Sequence, residues 1–92
     1  VTEQTVWNIE FLSSSLKALR KMAPRERDLI LTFLRNRVAK AEDPRRMGKA
    51  LTGEMKGLWR YRVGDYRIVC EILDGRVTVL VVRVGPRREV YD

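Results

Sequence analysis

The apolar positions change period along the chain. From Thr5 to Leu12 (TVWNIEFL) they alternate, with Trp7, Ile9 and Phe11 on one side and Val6, Asn8 and Glu10 on the other. The segment is rich in β-branched and aromatic residues, and the pattern predicts a strand. Ser13, Ser14 and Ser15 follow, each able to cap a helix. Leu16, Leu19 and Met22 then recur at every third residue and predict a short helix with one apolar stripe. Pro24 ends it and opens a second helix, since proline fits a first helical turn. Glu26 and Asp28 sit in that turn, where carboxylates favour the helix dipole. Ile30, Phe33, Leu34, Val38 and Ala41 make the second stripe, which Pro44 stops.

Residues 43–57 (DPRRMGKALTGEMKG) read as a polar connection. Three strands follow: Leu58–Val63, Tyr66–Leu73 and Arg76–Val84. Gly64-Asp65 turns the first pair. Asp74-Gly75 turns the second and matches a two-residue type I′ hairpin, which needs positive φ at both central positions. The order β-α-α-β-β-β predicts an α+β fold, an antiparallel β-sheet with an N-terminal helical hairpin packed on one face. A length of 92 residues supports a single domain over 1–92, with one core and one shallow site.

Strand alternation then sorts the side chains. Trp59, Tyr61 and Val63 share a face, as do Tyr66, Ile68, Cys70 and Ile72. On the last strand Leu80, Val82 and Val84 oppose Val79, Val81 and Arg83. With the aromatic and aliphatic set against the helices, Arg60, Arg62, Arg67 and Arg83 all emerge on the opposite, open face. Cys70 falls on the core side and reads as a small apolar residue. The plain alternative is a solvated sheet face with cross-strand pairs such as Arg67 or Arg60 to Glu71. The helical charges Arg20, Arg25, Arg27, Arg35, Arg37 and Lys40 read as a solvated face.

Composition sharpens this. Lys and Arg number 19 against 12 Asp and Glu, for a net charge of +7. Fourteen of the 19 are Arg, whose planar fork grips phosphate or carboxylate bidentately and stacks on bases. An anionic partner follows, either nucleic acid or an acidic protein. There is no His, which excludes Ser-His-Asp triads, His-metal sites and paired-His ribonuclease chemistry. A single Cys excludes an internal disulfide and a Cys zinc cluster. No metal site and no cofactor are expected. No apolar run approaches the ~18 residues of a membrane span, and no signal-peptide core is evident. These features predict a cytoplasmic domain without membrane contact.

The stretch Gly57–Val69 (GLWRYRVGDYRIV), the Asp-Gly hairpin and Val84–Tyr91 (VGPRREVY) together resemble the RelE toxins of the RelE/ParE superfamily. The upstream strand, the helical hairpin and Leu51-Thr52-Gly53 agree, so the resemblance spans nearly the whole chain. It implies the toxin half of a type II toxin–antitoxin pair, which enters the ribosomal A site and cleaves mRNA there. The implied partners are a cognate antitoxin, the ribosome with its rRNA and mRNA, and operator DNA only through the toxin–antitoxin complex. The implied reaction is metal-free: the 2′-OH attacks the adjacent phosphate. It needs a base, positive charge on the phosphorane and an acid at the leaving oxygen.

The resemblance also implies roles. Arg67 resembles the arginine at the scissile phosphate, Arg87 the arginine that stabilises the leaving group, and Tyr91 the tyrosine that orients a nucleotide. Arg60 and Arg62 stand where the best-known member has two lysines. Arginine stays charged and makes a poor base, so both are assigned to charge stabilisation. Arg83, Arg88, Lys56, Lys49, Arg45 and Arg46 are the further substrate-binding candidates. For the base, Lys56, Lys49, Glu54, water and the ribosome remain open. Pro86 stands where many relatives have a histidine and cannot transfer a proton. Two alternatives therefore remain: a catalytically weak or inactive homologue acting through antitoxin binding and operon control, and a ParE-like gyrase inhibitor.

Overall fold

The computed structural model describes residues 6–87. Five strands form one sheet in the order β1-β5-β4-β3-β2. They are β1 (Asn8–Phe11), β2 (Lys49–Ala50), β3 (Trp59–Val63), β4 (Tyr66–Leu73) and β5 (Thr78–Pro86), with helices α1 (Ser13–Lys21) and α2 (Pro24–Phe33) between β1 and β2. The core lies between the helices and one sheet face. Leu19, Ile30, Leu34 and Val38 from the helical hairpin meet Tyr61, Ile68, Cys70, Ile72, Val79, Val81 and Val84 from the strands, with Trp7 closing one end. Each fully buried aliphatic side chain here contributes about 1.5–3 kcal/mol. Among the described residues no helix is long and apolar enough to cross a membrane.

The sheet is mixed, where an antiparallel one was expected. β1 pairs β5 in parallel, from Asn8↔Thr78 to Phe11↔Val81, and the other three pairings are antiparallel. The helical hairpin carries the chain from one sheet edge to the other. Three antiparallel steps back then bring β5 beside β1 in the same direction. The fifth strand, β2, lies inside the segment read as a connection. It is two residues long and carries no β-branched side chain to signal it.

Local chemistry departs from expectation at four places. No serine caps α1: Leu12 is the N-cap and no side chain closes it. Ser15 is instead buried, and its Oγ donates to the Val81 carbonyl at 2.9 Å; Leu16 is left largely outside the core. After α2 the chain continues as a π turn over Leu34–Val38, closed by the Ala39 N–H on the Leu34 carbonyl at 2.8 Å. Ile30, Leu34 and Val38 are all fully buried, so the wider turn keeps them on the sheet. The β4–β5 connection is not a two-residue turn. Leu73 pairs Thr78, Asp74–Arg76 form a 3-10 turn, and Val77 takes the positive φ (48°) in place of Gly75. Its strained backbone is held by β1, since the Asn8 N–H donates to the Val77 carbonyl at 2.9 Å.

The fourth departure decides which side chains reach each face. Pairing runs Val69↔Arg83 and then Cys70↔Val81, so Val82 is an extra residue in β5, a β-bulge. Val79 and Val81 therefore point into the core beside Val84, although simple alternation had set Val79 and Val81 outside and Leu80 and Val82 inside. Val82 instead joins Leu51, Val69, Met55 and Leu58 in a small second cluster on the other face.

Candidate functional site

The face turned away from the helices is organised by strand register. Lys49, Arg60, Val69 and Arg83 are successive cross-strand partners and form one row across β2, β3, β4 and β5. Arg62, Arg67 and Gly85 form the next row. The four arginines assigned to this face are thus on it, and Lys49 joins them as a strand residue opposite Arg60. Arg87 follows β5 and is exposed. Its backbone N–H donates to the Asp65 carbonyl at 2.8 Å, which ties it beside the β3–β4 turn and the second row.

Exposure differs from expectation. Arg62, Arg83 and Lys49 are exposed, but Arg67 is only 2% exposed and Arg60 8%. A buried charge needs polar partners. Arg67 Nη1 donates to the Tyr66 carbonyl at 3.1 Å and the Gly64 carbonyl at 3.3 Å. Gly64 has φ +57°, a conformation that suits glycine, and this lets the two-residue turn present its carbonyl. Nor is the face open throughout. The loop 51–58 lies on it, with Leu51 and Met55 packed against Val69, between Arg60 and Arg83. The loop is closed by backbone bonds, Leu51 N–H to Leu58 carbonyl (3.0 Å) and Leu58 N–H to Met55 carbonyl (3.1 Å).

A cleft of about 350 Å³ opens beside this loop, lined by Thr52, Gly53, Glu54, Met55 and Arg83. Its lining includes both a carboxylate and an arginine. Glu54 carries more weight here than its place in a polar loop suggests, since the packing of Leu51 and Met55 beside it depends on contacts distant in sequence. Lys56 ends the same 3-10 turn and is exposed.

Two of the basic candidates lie elsewhere. Arg45 donates to both carboxylate oxygens of Asp74 and also pairs with Asp43 at 3.3 Å. Asp74 begins the β4–β5 connection, roughly 20 Å along β4 from Arg67 at ~3.3 Å per residue. Hydrogen bonds from Arg45 hold the Asp74 carboxyl below its usual range, and those to Asp74 raise Arg45 in turn. Arg45 thus has its anions within the protein. Arg46, on the same turn, is exposed at that distant end. Arg88 and Tyr91 fall outside the described residues.

The groups able to move a proton also sort by face. Tyr61 and Cys70 lie in the core, and burial pushes the phenol and the thiol well above their ordinary values, so both stay protonated. The Tyr61 hydroxyl donates to the Pro44 carbonyl at 2.9 Å. Tyr66 points to the helix side and lines a groove with Lys17, Lys21 and Pro86. On the cationic face the titratable candidates are Lys49, Lys56, Glu54 and Glu71. No group of three or more Cys, Asp or Glu able to hold a metal ion occurs among the described residues.

The family sequence model described as "ParE toxin of type II toxin-antitoxin system, parDE" matches residues 9–91. Toxin RelG of Mycobacterium tuberculosis is 29% identical over 85 residues, 92% of this chain and 95% of that protein. Toxin RelE of the same organism is 39% identical over 49 residues, 53% of this chain and 50% of that protein. Among solved structures, the toxin–antitoxin complex RelBE2 from M. tuberculosis matches with a TM-score of 0.83 at 27% identity, covering 97% of this chain and 100% of the other. A chain of the intact E. coli RelBE toxin–antitoxin complex matches with a TM-score of 0.70 at 22% identity, covering 87% and 95%, a likeness of fold.

Proposed function

The chain belongs to the RelE/ParE superfamily of type II toxin–antitoxin toxins, and from that premise we propose that it is a ribosome-dependent mRNA endoribonuclease. The observation that carries this reading is the pair of cationic rows, Lys49–Arg60–Arg83 and Arg62–Arg67, with Arg87 beside them. Guanidinium groups held on adjacent strands suit the extra negative charge of a pentacoordinate phosphate. The 2′-oxygen attacks phosphorus, the P–O5′ bond breaks, and a 2′,3′-cyclic phosphate and a 5′-hydroxyl result. Arg67, fixed by the turn carbonyls, is assigned to the phosphate and Arg87 to the leaving oxygen. Arg60 and Arg62 stabilise charge, Arg83 and Lys49 hold the flanking backbone, and Tyr91 orients a nucleotide.

The proposed partners are a cytoplasmic ribosome with its mRNA and a cognate antitoxin. Operator DNA is proposed as reached only through the toxin–antitoxin complex. An antitoxin has an apolar seat available on the hairpin: Leu29 is 59% exposed and lines a groove with Phe33 and Val63. Primer extension on translated mRNA after expression tests the reading. New cleavage at A-site codons is expected, and it is lost in Arg67→Ala and Arg87→Ala. Folded protein that arrests growth without new mRNA ends overturns it.

The matching family description, ParE toxin, favours one second reading, inhibition of DNA gyrase without RNA cleavage. Under it, Arg67→Ala leaves growth arrest intact and supercoiling of plasmid DNA falls instead.

A further inference from the structure

We infer that Glu54 is the general base of this toxin, the group that takes the 2′-OH proton. The inference rests on the ribonuclease reading above and deepens it. Arginines occupy the strand positions at the phosphate, and an arginine does not give up its proton near neutral pH. The base must therefore come from beside the arginine rows.

Glu54 is carried there by a rigid support. Gly53 (φ +67°) and Gly57 (φ +97°) bend the loop at both ends of Glu54-Met55-Lys56. The Lys56 N–H closes the 3-10 turn on the Gly53 carbonyl at 3.1 Å. Leu51 before Glu54 and Met55 directly after it are packed on Val69, the residue that pairs Arg60 on one side and Arg83 on the other. The exposed Glu54 is thus held at the β5 end of the first cationic row, in one cleft with Arg83. A side chain on a turn anchored at two points is positioned as a catalytic group needs to be.

The other candidates fit less well. Lys49 and Lys56 are ammonium groups that must lose a proton before they can accept one, whereas a carboxylate is a base in its ordinary state. Glu71 lies on this face but opposite Leu80, away from the arginine partners. Tyr61 and Cys70 are in the core. In the step itself, the Glu54 carboxylate accepts the 2′-OH proton as the 2′-oxygen bonds to phosphorus. The departing 5′-oxygen takes a proton from water, and Glu54 then returns its own proton to solvent. Arg83 lines the same cleft, and Lys56 ends the turn that carries Glu54.

The experiment compares wild type, Glu54→Gln, Glu54→Asp and Glu71→Gln in single-turnover cleavage of mRNA on programmed ribosomes across pH. Ribosome binding is measured alongside. Wild-type rate is expected to fall as pH falls, because the base protonates. Glu54→Gln is expected to bind ribosomes normally, to cleave ~100-fold or more slowly and to lose that acidic fall. Glu54→Asp recovers part of the rate, and Glu71→Gln matches wild type. Glu54→Gln cleaving at the wild-type rate with an unchanged pH profile overturns this inference and leaves the ribonuclease reading intact. Wild type that binds ribosomes without cleaving overturns both.

Discussion

Arg62 and Arg67 stand directly opposite each other across β3 and β4, on the sheet face turned away from the helices. Like charges in that relationship destabilise a sheet, by about the 0.2–1 kcal/mol that an opposite-charge pair contributes. Arg67 is also buried, with its guanidinium on the Gly64 and Tyr66 carbonyls. A sheet built only for stability gains nothing from this pair. A site that must receive a phosphate does, because the anion relieves the repulsion as it binds.

Arg62→Gln therefore separates stability from function. The melting temperature is expected to rise by ~2–4 °C, from about 0.5 kcal/mol of relieved repulsion. Cleavage on ribosomes is expected to fall at least ~10-fold. A variant that melts lower and cleaves normally would contradict the assignment.

Lys49 extends the first row by register with Arg60 and is exposed. Lys49→Gln should weaken binding of a short single-stranded RNA at low salt. It should also flatten the slope of log K against log salt by about 0.7, the share of one phosphate contact on a single strand. Fluorescence anisotropy between low and moderate salt reads both. An unchanged slope removes Lys49 from the interface.

Gly48 tests how tightly the sheet holds its position beside β2. A Cβ there would meet Tyr61 Cε1 at 2.9 Å and the Arg60 carbonyl at 3.2 Å. Tyr61 cannot easily give way, since its hydroxyl is bonded to Pro44 and its ring meets Phe33 edge-on at 5.7 Å. Gly48→Ala is expected to cost about 1–3 kcal/mol in denaturant unfolding. A midpoint within error of wild type would show that the ring moves freely.

The Arg45–Asp74 pair sets a pH dependence. Asp74 is held below its usual range by hydrogen bonds from Arg45, so its contribution is present above the ordinary carboxylate range. That contribution is lost as pH falls through the depressed value. Asp74→Asn should melt lower than wild type at neutral pH, and the two should converge in acid and in high salt. A difference that is constant across pH would assign the effect to something other than the ion pair.

Much of this arrangement is legible in the chain. The order of the two helices and four of the five strands, the core stripe Ile30–Leu34–Val38, and the side of the sheet for Arg60, Arg62, Arg67 and Arg83 all follow from period and polarity. The rest depends on contacts distant in sequence. Lys49-Ala50 becomes a strand only because Arg60 and Trp59 offer an edge. Val82 is a bulge because Val79, Val81 and Val84 all gain burial, an outcome that no local period encodes. Ser15 leaves its capping role for a carbonyl 66 positions away. Arg67 reads as an exposed cation until Gly64 turns its carbonyl toward it. Glu54 looks like one loop residue among many until Leu51 and Met55 settle on Val69.

The parallel seam between β1 and β5 has a consequence for biosynthesis. Asn8 and Thr78 are some 70 residues apart in sequence, and their pairing closes the sheet. Contacts of that separation form late, because the loop between them must be ordered first. Arg83 and Arg87 lie on the closing strand or just beyond it. A nascent chain thus carries Arg62 and Arg67 of the second row but lacks Arg83 of the first, and Arg87 beside the second, until Thr78–Pro86 and the residue beyond it have emerged, so the cationic face is completed last.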